Sequence, residues 1–152
     1  MKLYFLRHGK ADPPDWTGPD DDRPLTKKGR REARKVAKLL AKMEVEPLIV
    51  TSPLPRARET AAIAGKILEA QLHEDESLRP GFDAAKLEAL LRDFAGESLM
   101  VVGHEPDFTQ IIFRLTGGST QLSKGGVALV DLDVATMSGK LLWLVSPKIA
   151  SL

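Results

Sequence analysis

Charged and imidazole side chains follow three apolar segments of the chain, at the point where each segment ends. Arg7-His8-Gly9 comes directly after the first segment, Thr51 to Arg56 after the second, and Gly103-His104-Glu105 after the third. Arg7 and Arg56 stay charged, and each planar guanidinium group can donate hydrogen bonds to two phosphate oxygens at once. Because each hydrogen bond to a charged group contributes roughly 1.5–3 kcal/mol, these arginines predict a site for a phosphoryl dianion.

His8 and His104 add a reactive group to this predicted anion site. A neutral imidazole, with an ordinary pKa of about 6.5, is a competent nucleophile toward phosphorus at physiological pH. We predict His8 as the nucleophile because it lies between Arg7 and Gly9, a glycine that lets the backbone approach a ligand. His104 is predicted to donate a hydrogen bond to a phosphoryl oxygen in the transition state.

Three residues beside these side chains are assigned to substrate binding: Gly9, Lys10 and Glu105. Lys10 would extend the positive rim toward the phosphate. Glu105 also suits the first turn of a following helix, where a carboxylate is favourable. No metal or other cofactor is expected, since the two arginines would repel a cation and no HExxH motif or carboxylate cluster accompanies the histidines.

Strands and helices must bring these separate segments together. Apolar, β-branched-rich runs predict five strands: Leu3–Leu6, Leu48–Val50, Leu99–Val102, Val127–Val134 and Leu141–Val145. Amphipathic patterns predict four helices between the first four of these strands. The first helix opens at Thr26 as N-cap, the second runs from Ala57 to Leu68, and the third follows the cap Asp83. The fourth starts near Pro106 and ends before Gly117.

This order of elements predicts the fold. Alternating strands and helices imply right-handed crossovers and a mostly parallel sheet covered on both faces. The last two strands, joined by a turn around Ser138-Gly139, are predicted to form an antiparallel hairpin at one edge. The expected fold is therefore α/β, a three-layer α/β/α sandwich in one domain over residues 1–152. Because ligands bind beyond the carboxyl ends of parallel strands, the predicted site residues should meet at one edge.

The composition excludes several classes of function. The 152 residues include 22 Lys and Arg against 21 Asp and Glu, so the net charge of +1 indicates no nucleic-acid or membrane partner. The absence of cysteine removes disulfides, thiolate metal sites and cysteine nucleophiles. No segment reaches the roughly 18 apolar residues of a membrane helix, and the apolar run that ends at Arg7 is too short for a secretory signal. We expect a cytoplasmic location, and the sequence predicts no oligomeric state.

Three motifs considered together point to a known family. They are Leu6-Arg7-His8-Gly9, then Ser52-Pro53-Leu54-Pro55-Arg56-Ala57 with Thr60, and Val102-Gly103-His104. This combination is similar to the histidine phosphatase superfamily, also called phosphoglycerate mutase-like. The segment Arg23 to Thr26 with Gly29 makes the chain resemble most its phosphohistidine phosphatase SixA branch. The resemblance spans almost the whole chain.

The resemblance implies a mechanism and a substrate class. His8 would become transiently phosphorylated, and Arg7, Arg56 and His104 would complete the phosphate pocket of a three-layer α/β sandwich. The implied function is a metal-independent phosphatase acting on phosphohistidine of a signalling phosphoprotein. Two alternatives remain: a small-molecule phosphomonoesterase of the same superfamily, acting on a small phosphate ester, and a non-catalytic phosphate- or phosphoprotein-binding module.

The general acid departs from the family pattern. Larger members place a glutamate proton donor after the second helix, whereas Glu76 to Gly81 offers no clear equivalent, which leaves Glu76, Glu105 and Asp107 as candidates. A missing strong acid suits the labile P–N bond of phosphohistidine and would hamper alkyl phosphates. Substrate choice is expected to depend on the long loops at residues 10–23 and 116–126.

Overall fold

The predicted alternation of strands and helices is present in the computed structural model of the chain, which describes residues 1–94, 96 and 98–152. Its strands are β1 (Lys2–Arg7), β2 (Leu48–Thr51), β3 (Leu72–Glu74), β4 (Ser98–Gly103), β5 (Val127–Asp133) and β6 (Ser138–Val145). Its α-helices are α1 (Lys27–Lys42), α2 (Pro55–Leu68), α3 (Ala84–Asp93), α4 (Asp107–Thr116) and α5 (Pro147–Ala150). Short 3-10 helices cover Asp20–Asp22 and Glu76–Leu78.

The strands form one mixed sheet in the order β3-β2-β4-β1-β5-β6. Strands β3, β2, β4 and β1 are parallel to one another, whereas β5 runs antiparallel to both β1 and β6. The mostly parallel sheet and the antiparallel hairpin at one edge are therefore confirmed. In the parallel part, Arg7 aligns with Gly103 and Thr51 with Val102, so the three strands end within one residue of one another.

Helices cover both faces of the sheet, and the alternation of side chains along β1 decides which residue meets which layer. Leu3 and Phe5 pack in a core with residues of α3 and α4, where the rings of Phe5 and Phe108 meet edge to face at 5.2 Å. Tyr4 and Leu6 pack in a second core with residues of α1 and α2. The three-layer sandwich is thus confirmed, with β1 buried between the layers.

Helix ends form where the sequence indicates them. The Thr26 hydroxyl accepts the Gly29 N–H at 2.9 Å, and the Asp83 carboxylate accepts the Lys86 N–H at 2.9 Å. Helix α4 ends at Gly117, whose φ of 75° is the left-handed conformation that glycine adopts without strain. None of the helices in the described part of the chain is long and apolar enough to cross a membrane.

Three features differ from the sequence prediction. Strand β3 was not predicted, because its three exposed residues at the sheet edge carry no alternating pattern. The short helix α5 was also missed. The predicted turn at Ser138-Gly139 is wrong, since both residues belong to β6 and the turn covers residues 134–137. Gly139 is instead required inside the strand, where a Cβ would collide with the Asp131 carbonyl oxygen.

Candidate active site

The carboxyl ends of β1, β4 and β2 bring the predicted site residues to one edge of the sheet. Arg7 is the last residue of β1, and His8 follows it and donates its backbone N–H to the Gly103 carbonyl at 3.1 Å. His104 follows β4, and Ser52 follows β2. The ring centroids of His8 and His104 are 5.3 Å apart. Residues separated by almost a hundred positions in sequence are therefore neighbours.

A single hydrogen bond determines which ring nitrogen of His8 carries the proton. His8 Nδ1 lies 2.8 Å from the Gly9 carbonyl oxygen. Because a carbonyl only accepts, Nδ1 must carry the hydrogen, and Nε2 keeps its lone pair. Burial lowers the pKa of His8 to about 4; the Gly9 hydrogen bond opposes this shift, and the positive charges of Arg56 and Arg7 add to it. His8 is therefore a neutral imidazole with a free Nε2 at physiological pH.

His104 is held by Ser52. The ring is 3% exposed, and its Nε2 lies 2.8 Å from Ser52 Oγ, which also accepts the Leu54 N–H at 3.3 Å. Among the described residues, Nε2 is the acceptor within reach of the Ser52 hydroxyl hydrogen, so the proton of neutral His104 is on Nδ1. That Nδ1 is buried and has no partner among these residues. Burial lowers the pKa of His104 to about 3, with further lowering by His8 and Arg56.

Both arginines carry buried N–H groups that have no hydrogen-bond partner among the described residues. Arg7 donates from Nη1 to the Leu122 carbonyl at 3.0 Å, while its buried Nε has no partner in the described part of the chain. Arg56 is 7% exposed, and its buried Nε and Nη1 are likewise unpaired there. Burial lowers the pKa of both guanidinium groups. Buried unpaired cationic donors cost free energy, and an anion would relieve that cost.

Gly9 and Thr60 connect the His8 loop to helix α2. The Gly9 N–H donates to Thr60 Oγ1 at 3.0 Å, and the Thr60 hydroxyl donates to the Arg56 carbonyl at 2.8 Å. A Cβ at Gly9 would lie 3.2 Å from the Gly29 carbonyl oxygen, so the loop packs closely on α1. Gly9 thus supports His8 through its carbonyl and its close packing. Its role in binding substrate stays a prediction.

Lys10 and Glu105 lie beside the histidines in sequence but have structural partners. The Lys10 carbonyl accepts the Thr26 N–H at 2.9 Å, and its side chain is half-buried. The Glu105 carboxylate accepts the backbone N–H of Thr109 at 3.0 Å and also its hydroxyl, which stabilises the start of α4. Glu105 lies close enough to Arg7 for its charge to raise the pKa of that guanidinium, against the larger lowering by burial. Their contacts with substrate stay predictions.

The other two acid candidates also have partners. Asp107 accepts the Gly81 N–H at 2.8 Å, and Glu76 forms an ion pair with Arg79 on the exposed surface. Each of the three candidate carboxylates therefore already accepts a hydrogen bond from another residue: Glu76 from Arg79, Glu105 from Thr109 and Asp107 from Gly81. Among the described residues, no group of three or more His, Asp or Glu could hold a metal ion.

Arg23 is a third arginine near the site that sequence reasoning did not assign. Its Nη1 donates to the Ala11 carbonyl at 2.7 Å, and its Nε forms an ion pair with Asp20 Oδ1 at 2.9 Å. Its positive charge contributes to the lowered pKa of His8 and of Arg56. The only sequence signal for Arg23 is its place in the segment that resembles the SixA branch.

Comparison with known proteins agrees with this geometry. A family model described as the histidine phosphatase superfamily (branch 1) matches residues 3–82, more than half of the chain. The chain belongs to this superfamily. It is 30% identical to phosphohistidine phosphatase SixA of Escherichia coli, over 97% of this chain and 94% of that protein. An uncharacterized protein of Picosynechococcus sp. is 35% identical over 97% of this chain and 98% of its own length.

The fold of this chain is also similar to that of a solved structure. The structure of the protein histidine phosphatase SixA complexed with tungstate superimposes with a TM-score of 0.85 and 29% sequence identity. The match covers 97% of this chain and 98% of the other. The whole sandwich, including the segments that carry His8 and His104, is therefore shared with that protein.

Proposed function

We propose that this superfamily member is a phosphatase that carries the phosphoryl group on His8 and takes phosphohistidine of a protein as substrate. The observation that carries the proposal is a set of buried nitrogen atoms without a hydrogen-bond partner among the described residues, on three side chains around His8: Arg7 Nε, Arg56 Nε and Nη1, and His104 Nδ1. An anion with several oxygens would satisfy all of them. The tungstate in the related SixA structure is a tetrahedral oxyanion, which supports the same interpretation.

The first step forms a phosphoenzyme. The Nε2 lone pair of His8 attacks phosphorus, and the P–N bond to the substrate imidazole breaks. Because the second nitrogen of the substrate ring carries a proton, that ring keeps the bonding electron pair and leaves as a neutral imidazole. Positive charge develops on the His8 ring, where the Gly9 carbonyl accepts Nδ1–H and stabilises it. Arg7, Arg56 and the Nδ1–H of His104 donate to the phosphoryl oxygens as charge spreads over them.

The second step releases the phosphate. Water attacks the phosphorus of phospho-His8, the P–Nε2 bond breaks, and inorganic phosphate leaves with the water oxygen. His8 returns to its neutral form with Nδ1–H still donating to Gly9. Two arginines in the site hold the dianion without a metal ion, so we infer that activity does not need a metal and survives addition of a chelator.

The hydrogen bonds of the candidate carboxylates favour phosphohistidine over alkyl phosphates as the substrate. Glu76, Glu105 and Asp107 each have another hydrogen-bond partner, and proton donation to a leaving alkoxide would require one of them to release it. An imidazole leaving group needs far less help than an alkoxide. We further infer that residues 1–152 act as one phosphatase domain, because His104 from the later half completes the site that begins at Arg7.

The decisive experiment measures phosphoenzyme formation and turnover together. Wild-type protein is incubated with a phosphohistidine peptide and with p-nitrophenyl phosphate, and an acid-labile, alkali-stable phosphoenzyme is trapped. We expect His8→Ala to abolish both the trapped species and the release of inorganic phosphate. His73→Ala is the matched control, since His73 lies on the exposed edge strand with its ring against Phe94 at 5.4 Å. That variant should keep full activity.

Three outcomes would contradict the proposal. Full turnover by His8→Ala would remove His8 as the nucleophile. Equal tungstate affinity in wild type and His8→Ala, with no hydrolysis by either, would indicate a binding module. Turnover of a sugar phosphate as fast as that of the phosphohistidine peptide would overturn the substrate class.

A further inference from the structure

Helix α1 concentrates positive charge that the whole-chain balance conceals. It holds eight of the 22 Lys and Arg of the chain but one acidic residue, Glu32. Its buried side is apolar, and Arg30 pairs with Glu59. The remaining seven cations are exposed: Lys27, Lys28, Arg31, Arg34, Lys35, Lys38 and Lys42. None of these seven has a carboxylate within 4.0 Å among the described residues.

Most of these charges do not stabilise the helix; Lys42, in the last turn, is the one that the helix dipole favours. Five of these cations are spaced three or four residues apart, so like charges are neighbours on the helix surface: Arg31, Arg34, Lys35, Lys38 and Lys42. Like-charge pairs at this spacing are destabilising. The first turn also lacks any acidic residue and carries lysines instead, which the positive end of the helix dipole disfavours. A selective reason other than stability is therefore needed for this face.

The basic face starts at the candidate active site. The Thr26 N–H donates to the Lys10 carbonyl at 2.9 Å, two residues after His8. A Cβ at Gly29 would collide with that same Lys10 carbonyl, so the first turn of α1 is pressed against the His8 loop. From Lys27 to Lys42 the helix then extends about 22 Å away from the site. The exposed cations thus form a track that leads from the site along the surface.

We propose that this basic stripe, defined as Lys27, Arg31, Arg34, Lys35, Lys38 and Lys42, docks an acidic surface of the phosphorylated protein substrate. The proposal rests on the phosphatase function proposed above and names the surface that selects the protein. Complementary charge increases the association rate and orients the partner. A phosphoprotein seated on the stripe would place its phosphorylated residue next to His8, because the stripe begins there.

The composition of the stripe favours a protein over the other polyanions. Binding of single-stranded nucleic acid uses aromatic side chains on which bases stack, and α1 contains no aromatic residue. Binding to a membrane surface uses large apolar side chains beside the cations, whereas the apolar residues of α1 lie mainly in the core. An acidic protein surface needs neither.

The test compares two synthetic phosphohistidine peptides of equal length, one carrying four glutamates and the other four glutamines at the same positions. Wild type is expected to show a kcat/KM about tenfold higher for the acidic peptide at low salt, and this preference should vanish at high salt. Neutralising four cations should abolish the preference. The stripe variant carries Arg31→Gln, Arg34→Gln, Lys35→Gln and Lys38→Gln.

Two controls separate docking from charge and from chemistry. A matched variant removes four exposed cations outside α1, again two arginines and two lysines: Lys66→Gln, Arg92→Gln, Arg114→Gln and Lys140→Gln. It should retain the preference. Both variants should hydrolyse p-nitrophenyl phosphate at the wild-type rate, because this small substrate does not reach the stripe.

The outcomes distinguish this proposal from the proposed function. Absence of any turnover by wild type would refute the phosphatase function itself. Normal turnover without a preference for the acidic peptide, or a preference unchanged in the stripe variant, would overturn docking alone. Stripe-dependent binding of single-stranded RNA or of phosphatidylserine vesicles, with equal turnover of both peptides, would also overturn it and assign the stripe to another partner.

Discussion

Replacement of Ser52 by alanine tests how His104 is oriented. Ser52 is fully buried, and its hydroxyl lies 2.8 Å from His104 Nε2 while accepting the Leu54 N–H. Without the hydroxyl, the buried Nε2 loses its partner, and the ring no longer has a preferred tautomer. His104 would then present Nδ1–H to the phosphoryl group for only part of the time.

The size of the effect follows from two bounds. A net hydrogen bond contributes roughly 0.5–1.5 kcal/mol, so release of the tautomer alone reduces the rate up to about tenfold. Complete loss of one transition-state donor costs about 10²–10³ in kcat. We therefore expect Ser52→Ala to lower kcat on p-nitrophenyl phosphate by about tenfold to a hundredfold, with a smaller change in KM.

Kinetics and NMR together provide the assay. The ¹⁵N chemical shifts of the His104 ring report which nitrogen carries the proton: Nδ1 in wild type, and a mixture of both in Ser52→Ala. Ser52→Thr keeps the hydroxyl and should restore both the shifts and kcat, with folding checked by urea denaturation. The reasoning would be refuted by a proton on Nε2 in wild type, or by unchanged kcat in Ser52→Ala.

Acid and the buried arginine supply two further predictions. The pKa values of His8 and His104 are lowered from 6.5 to about 4 and about 3, so below pH 6.5 the unfolded state binds more protons than the folded state. The free energy of unfolding should therefore fall by on the order of 2 kcal/mol per histidine between pH 7 and pH 5, measured by urea denaturation; a drop that persists undiminished in His8→Ala would exclude His8 as a source. Arg56→Met should reduce kcat by about 10²–10³ and yet raise the free energy of unfolding, because it removes a buried cation whose Nε and Nη1 have no partner among the described residues. A less stable Arg56→Met protein would contradict that account.

The sequence predicted most of the fold because its signals are local. Hydrophobic runs marked β1, β2, β4, β5 and β6, and the caps Thr26 and Asp83 marked helix starts where they occur. Strand β3 was not predicted because its three residues are all exposed, and the sequence therefore shows no alternation of apolar and polar residues there. The hairpin turn was misplaced because Gly139 meets a close backbone approach within a strand, which composition cannot distinguish from a turn.

The residue types at the strand ends determined by themselves which side chains are candidates for chemistry. Arg7 is the last residue of a strand, and His8 and His104 each directly follow a strand. Because the carboxyl ends of parallel strands lie at one edge of the sheet, the proximity of these residues follows from local pattern and topology. Only the tertiary structure decided which hydrogen bonds orient these side chains. The partners Ser52 and Thr60 lie about fifty residues away from the groups that they hold, and such contacts exist only after the chain has folded.

The same division applies to charge. The total of +1 in the sequence indicates no nucleic-acid or membrane partner, because it is a sum over the whole chain. The folded structure places these charges in different environments. The guanidinium group of Arg56 is buried, and its Nε and Nη1 have no partner among the described residues. The cations of α1 lie on one exposed face of the helix. Protonation of His8 is decided in the same way, since burial sets its pKa and the Gly9 carbonyl sets its tautomer. Composition lists the charges, and the environment that folding creates around each one decides what it does.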